Sequence, residues 1–303
     1  MNMAVKYLNC RAWEVQALLA GTRFQARRVL KPQPPTEQQF PGSCFGLCPS
    51  VADGVKMYSV LQYDSLPKHP TDWDLVGSVG VARRAGFPNR YRLPFAPGDL
   101  LYVREAYRTA SWDEDGYCWL EYQADKTRSA ALHAPEEYLD ALCADLNRRG
   151  APVDGRGNYT GEGGILPRVH PSIHMPRWAS RMTLEVGAVR AHRVQDISAE
   201  DAIVEGIDRW MTAGEARAAG GLAWGKIPED AADDAIFWIA DYDPNLAEDA
   251  DRAITLDPRE AYRALWNSLH GEGAWDRNDW VAACTFLIHD RNVDDLLRER
   301  GQA

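Results

Sequence analysis

The sequence predicts an α+β protein, a small β-barrel with flanking helices and large insertions, on the strength of three observations. Strand-like runs are short and set apart by turns, as at 100–103, 182–189 and 280–288. Two or three segments carry the apolar period of a helix, about 3.6 residues. No glycine fingerprint separates a strand from a helix, which argues against a doubly wound dinucleotide fold.

In order along the chain, residues 13–20 place apolar side chains at Trp13, Ala17, Leu18 and Ala20 and end at Gly21, a short helix with its cap. Residues 22–30 are basic and partly alternating, a turn running into a strand that Pro32, Pro34 and Pro35 stop. From 33 to 95 the chain is rich in Pro and Gly, with strand signals near 56–63 and 74–81, and reads as a long insertion. Pro97-Gly98-Asp99 then turns the chain into the apolar run 100–103, with Arg104-Glu105 at its exit and 117–122 as its expected hairpin partner. Residues 136–149 predict a helix with Tyr138, Leu139, Leu142, Cys143 and Leu146 on one stripe and Gly150 behind it. Five glycines within 154–164 make that stretch a loop.

The middle of the chain is the most informative part. A compact polar and aromatic run, His170-Pro171-Ser172-Ile173-His174-Met175-Pro176-Arg177-Trp178-Ala179-Ser180-Arg181, precedes a strand whose apolar residues alternate through Met182, Leu184 and Val186. Ser198-Ala199-Glu200-Asp201 starts a helix: a Ser hydroxyl caps the amide three residues on, and acids suit the positive helix end. Gly206 closes it. Residues 208–257 form an acidic insertion with helix expected over 231–240. Asp257-Pro258-Arg259-Glu260 combines an Asp cap, Pro at the first helical position and Glu at the third. That helix is expected to run to Leu269, burying Tyr262, Leu265, Trp266 and Leu269, before Gly271. Residues 280–288 read as a strand central in a sheet, and 293–299 as a small charged helix.

Length and composition bound the class. The 303 residues suit one large domain with insertions or two small ones. No run approaches the ~18 apolar residues of a membrane span, and residues 1–10 lack a signal-peptide layout. Six scattered cysteines form no dense framework, which predicts reduced thiols and a cytoplasmic protein. The net charge of −10 is unevenly spread. Residues 1–34 hold six cations against Glu14, residues 168–193 five arginines against Glu185, and residues 196–260 17 acids against five bases.

Metal and nucleophile motifs are weak. Cys44-x3-Cys48 lacks a second pair for zinc, and Pro171 between His170 and His174 argues against a helix presenting both to a metal, so no metal or cofactor is predicted. Neither a nucleophile elbow nor a phosphate loop is present. The better constellation is charged residues beside short strands: Arg23, Arg27 and Arg28, then Arg104 and Glu105, then Arg177, Trp178 and Arg181. Converging at one barrel mouth, planar arginine forks suit phosphate or a base edge and Trp178 offers a stacking face. The same residues equally fit a structural role, with Trp178 in the core and the arginines paired with Glu105, Glu185 and Glu205.

Three long motifs carry a resemblance. Leu18-Leu19-Ala20-Gly21-Thr22-Arg23-Phe24-Gln25-Ala26-Arg27-Arg28-Val29-Leu30-Lys31-Pro32-Gln33-Pro34, the Pro97–Glu105 strand and the Pro171–Arg181 segment together resemble phage and prophage proteins of the ASCH family, often labelled morphogenetic proteins. Residues 196–206 and the helix around Tyr262 and Trp266 fit as well. The resemblance implies one PUA-like β-barrel domain over 1–289, with core segments 1–34, 96–123, 166–206 and 258–289. Its insertions are then 35–95, 124–165 and 207–257, followed by a tail at 290–303. It also implies a cleft for RNA or a modified nucleoside, lined by Arg23, Gln25, Arg27, Arg28, Arg104, Glu105, His174, Arg177, Trp178 and Arg181. Small bacterial relatives are amidohydrolases acting on N4-acetylcytidine, through the Lys and last Thr of Gly-Arg-Lys-Thr-x-Thr and a later Glu. This chain has Arg23 and Ala26 at the first two positions and keeps the Glu as Glu205. A guanidinium does not lose its proton near neutrality and Ala has no hydroxyl, so binding is the leading expectation. An amidohydrolase using Glu205 and Arg23 is the alternative, and a phage assembly or host-interaction protein the third reading.

Overall fold

The computed structural model describes residues 3–31, 33, 44–52, 55–63, 90–155, 158–218, 231–239 and 255–302, and it is α+β with a mixed sheet. The chain opens with β1 (Val5–Asn9), α1 (Ala12–Leu19) and β2 (Gln25–Val29), followed by β3 (Cys44–Ala52), β4 (Val55–Tyr63) and β5 (Arg90–Arg92). Then come β6 (Leu100–Arg104), β7 (Tyr107–Trp112), β8 (Tyr117–Tyr122), β9 (Leu132–His133) and α2 (Glu136–Arg148). The remainder holds β10 (Thr183–Arg193), α3 (Ala199–Val204), β11 (Asp208–Thr212), α4 (Ala213–Ala218) and β12 (Ile236–Ile239), then α5 (Pro258–His270), β13 (Trp280–His289) and α6 (Val293–Glu299).

Two compact units divide these elements. In the first, built mainly from Gly21–Asp99 and Val186–Leu287, β2 lies antiparallel to β13 in the register Gln25↔Thr285 to Val29↔Val281. Burial of the first five residues of β13 accounts for its apolar run, and pairing on both sides makes it a central strand. Strands β3, β4 and β5 form an antiparallel sheet of their own, and β11 pairs with β12. Helix α5 begins where its sequence directs, the Asp257 carboxylate accepting the Arg259 N–H at 2.8 Å, and it buries Tyr262, Leu265 and Trp266.

In the second unit, Ala4–Ala20, Leu100–Glu185 and Ile288–Ala303, β1 runs parallel to β6 and residues 183–185 of β10 run antiparallel to it. The run 100–103 is fully buried, as a strand with neighbours on both sides should be. The β7-β8-β9 meander covers a core of Tyr107, Cys118, Leu120, Tyr122, Met175 and Ala179.

Three expectations are corrected. The largest sheet runs β1-β6-β10-β13-β2 and leaves β1 and β2 as outer strands, so the described strands do not close into a barrel. Residues 117–122 pair with β7 and not with β6, because burial alternates through Tyr107 and Thr109 on β7 and through Cys118, Leu120 and Tyr122 on β8, matching their faces. Within 231–240 the chain forms strand β12, not helix: the aromatic and β-branched run Ile-Phe-Trp-Ile outweighs the Ala-rich residues before it. The strand signal at 74–81 lies outside the described residues, and no described helix is long and apolar enough to cross a membrane.

Candidate functional site

The candidate residues fall into two groups, one in each unit. In the first unit the period of two along β2 sets Gln25 and Arg27 on one face, both buried. Across from them α3 is capped at its start by the Ser198 hydroxyl, which accepts the Asp201 N–H at 3.0 Å. It ends at Glu205, with Gly206 behind it at φ +101°, where a side chain would be strained. That exit aims a carboxylate only 3% exposed at the β2 face. Its Oε1 accepts from Arg27 Nη1 and from Gln25 Nε2 (3.1 Å), and its Oε2 accepts from the Tyr262 hydroxyl (2.8 Å). Arg27 also donates to Asp201 Oδ2 at 2.8 Å.

Electrostatics follow from this packing. Burial alone would lower the Arg27 pKa, but Glu205, Tyr262 and Asp201 outweigh it and hold the guanidinium above its ordinary value. Burial and then the Glu205 charge push Tyr262 well above the ordinary phenol range. His192 on β10 moves the other way, to about 4, through burial and then the Arg27 charge. Its Nε2 is buried with no hydrogen-bond partner among the described residues. Arg23 is buried too, its Nε donating to the Gln25 carbonyl at 3.1 Å. Arg28 is half-buried, and Ala26 is buried on the other β2 face opposite Cys284. Three donors thus occupy the two oxygens of Glu205, an arrangement that suits holding β2, α3 and α5 together more than deprotonating a water.

In the second unit Arg104 leaves the end of β6 and lies over two rings, its guanidinium carbon 4.0 Å from the Tyr7 centroid and 5.4 Å from that of Tyr102. Tyr7 and Tyr102 are cross-strand partners on β1 and β6, with ring centroids 6.1 Å apart. Arg104 donates to the Tyr102 hydroxyl (3.1 Å) and the Ile173 carbonyl (3.2 Å). That second bond ties it to the helical turn Ser172–His174, on which His174 is exposed. Tyr7 is 49% exposed, an open ring backed by a cation. Glu105 turns inward and takes a bidentate pair from Arg181, Nε to Oε1 at 2.8 Å and Nη2 to Oε2 at 2.9 Å. Arg181 also reaches Asp125 and Thr127, both at 2.8 Å, and covers the Tyr122 ring at 4.2 Å. Burial would lower its pKa, but Glu105 and Asp125 hold it above the ordinary value. Arg177 pairs with Asp294, and Trp178 meets Tyr138 edge-on at 5.1 Å against the meander core.

Arg23, Gln25, Arg27 and Glu205 therefore come together as a cluster, Glu105 and Arg181 as a pair, and Arg104 as part of an aromatic stack. Sequence reasoning missed three members. Tyr262 looked like one more apolar position of its helix, although a buried Tyr hydroxyl demands a partner. Tyr7 lay on a strand too short and mixed to be read, and His192 carried no local signal. No family model, no curated protein and no solved structure matches this chain.

Proposed function

We propose that this chain binds a nucleobase, as part of RNA or as a modified nucleoside, without hydrolysing it, in the manner of the PUA-like ASCH proteins its motifs resemble. The observation that carries this reading is the Tyr7–Arg104–Tyr102 stack: a half-exposed aromatic ring on a sheet face, backed by a guanidinium that is itself bonded to the turn carrying the exposed His174. Aromatic rings on sheet faces stack unpaired bases, and an adjacent Arg supplies charge for phosphate or a base edge. The engagement of Glu205 with Arg27, Gln25 and Tyr262 speaks for binding over amide hydrolysis. The acidic overall charge limits the reading to a local contact, for which a salt dependence of roughly two to four phosphates is expected.

The test is calorimetric titration of the purified protein with cytidine, N4-acetylcytidine and short single-stranded RNA, with chromatography of each mixture for deacylated product. Saturable binding without product, weakened by Tyr7→Ala, is the expected result. Binding unchanged by Tyr7→Ala, or the absence of binding throughout, refutes the reading; deacylated product moves the chain to the amidohydrolases.

A further inference from the structure

The β7–β8 hairpin turns through Asp113-Glu114-Asp115-Gly116, and the Asp113 carboxylate is fixed at the turn by the Tyr117 N–H at 2.8 Å. Beside this turn lies a cavity of about 490 Å³, within the second unit and sharing no residue with the stack above. Its volume falls in the range of small-molecule sites, about 300–1,000 Å³. Trp112 and Tyr159 line it, with centroids 5.6 Å apart and planes at 47°, and Leu139 of α2 adds apolar surface. Tyr159 is held in place, its hydroxyl 2.8 Å from Asn147 Oδ1 and 3.1 Å from the Cys143 carbonyl.

The charged side chains that line this cavity are of one sign. Asp113 and Glu114 reach it from the turn and Asp140 from α2, and no Lys, Arg or His is among its described lining residues. Of the described arginines nearby, Arg148, Arg149 and Arg168 pair with Asp145, and Arg128, which donates to the Ser111 hydroxyl, lies against the Trp119 ring. Aromatic faces attract a cation through their quadrupole, most strongly once it is partly desolvated. Carboxylates on two separate elements add attraction from two directions, a pattern that excludes anions and exceeds the needs of a single charge.

We propose that this cavity binds a small linear organic dication, a diamine or polyamine, with its methylenes across Trp112 and Tyr159 and its ammonium groups at the carboxylates. Calorimetry on the full chain with 1,4-diaminobutane, butylamine and 1,4-butanediol tests it. The diamine should bind at one site, at least tenfold tighter than butylamine, with no measurable heat from the diol. Trp112→Leu should weaken the diamine at least tenfold. Asp140→Asn, at an exposed position that leaves folding intact, should remove most of its preference over butylamine. Diffuse binding to many sites, as an acidic surface alone would give, overturns the proposal. So does diamine affinity unchanged in Asp140→Asn and in folded Trp112→Leu, or a diol that binds equally well.

Discussion

Arg27 and Arg104 look alike in the sequence, each on a short strand with a second charged residue beside it, yet the structure uses them in opposite ways. The Arg27 side chain is 0% exposed and meets two carboxylates, Glu205 and Asp201. Arg104 is half-buried, has no carboxylate partner among its described bonds, and lies against the Tyr7 ring. The first is a closed network, in which Glu205 at the end of α3 is held by groups from two other elements, β2 and α5. The second is an open platform, in which a cation stiffens and charges a ring that water still reaches. A strand-borne arginine therefore says little by itself; what decides its role is whether acids on distant elements arrive on its face.

The largest effect that separates the two comes from removing each cation. Arg27→Met leaves Glu205 buried without its main partner, and breaking a buried pair from one side costs about 3–5 kcal/mol. Denaturant titration should show that loss, and adding Glu205→Leu should recover part of it, since the double variant removes the stranded charge. Arg104→Met in the same assay should lose no more than about 1 kcal/mol, the scale of an exposed cation–π contact. Equal losses would erase the distinction.

Ligand binding should invert that ranking. Stacking of one base on an aromatic side chain contributes about 1–3 kcal/mol, so Tyr7→Ala should weaken nucleobase binding roughly 5- to 150-fold. Tyr7→Phe should keep most of the affinity, because the ring and not the hydroxyl does the stacking. The folding midpoint of either variant should move little, as Tyr7 is half exposed.

What the sequence made legible divides along the same line. Local physics was readable: the Ser198 and Asp257 caps, the Gly206 exit, the buried run of β6 and the apolar run of β13 each announce themselves within a few residues. Shared faces were readable too, since Gln25 and Arg27 stand two apart on a strand. Partner choice was not. Glu205 is 178 residues from Arg27 and Tyr262 another 57 beyond, and neither carries a local mark of the meeting. Strand β1 escaped for the same reason: five mixed residues become a strand only by pairing with β6, nearly a hundred positions away. Residues 117–122 pair with β7, whose mixed run Tyr-Arg-Thr-Ala-Ser-Trp announces a strand far less than the apolar run of β6 does.

A smaller effect probes whether the network needs its helix. Asp257→Ala removes the cap of α5, which carries Tyr262 to Glu205, and such a loss costs about 0.5–2 kcal/mol. Denaturant titration should register it, with Tyr7-dependent binding of the folded protein unchanged. A loss near the bottom of that range would mean that the Tyr262–Glu205 bond and the burial of Trp266 hold the helix start without help.

The last contrast is silent at neutral pH and appears only in acid. Burial, followed by the positive charge of Arg27, drives His192 down to about 4, while in the unfolded chain it titrates at the ordinary histidine value near 6.5. Between those values the unfolded state binds the extra proton, so the contribution of neutral His192 to stability should fall as pH drops from about 6.5 toward 4 and should be gone below both. His192→Gln should flatten that branch of the stability profile relative to the wild type while leaving the midpoint at pH 7.5 nearly unchanged. In a background where Arg27→Met and Glu205→Leu keep the chain folded, the His192 ring followed by NMR should titrate closer to its ordinary value, because the Arg27 charge, the largest cause of the depression after burial, has gone. An unchanged titration there would assign the depression to burial and Arg190 and would detach His192 from the network. No comparable shift is expected when Arg104 is replaced, since Arg104 is not among the groups that depress His192.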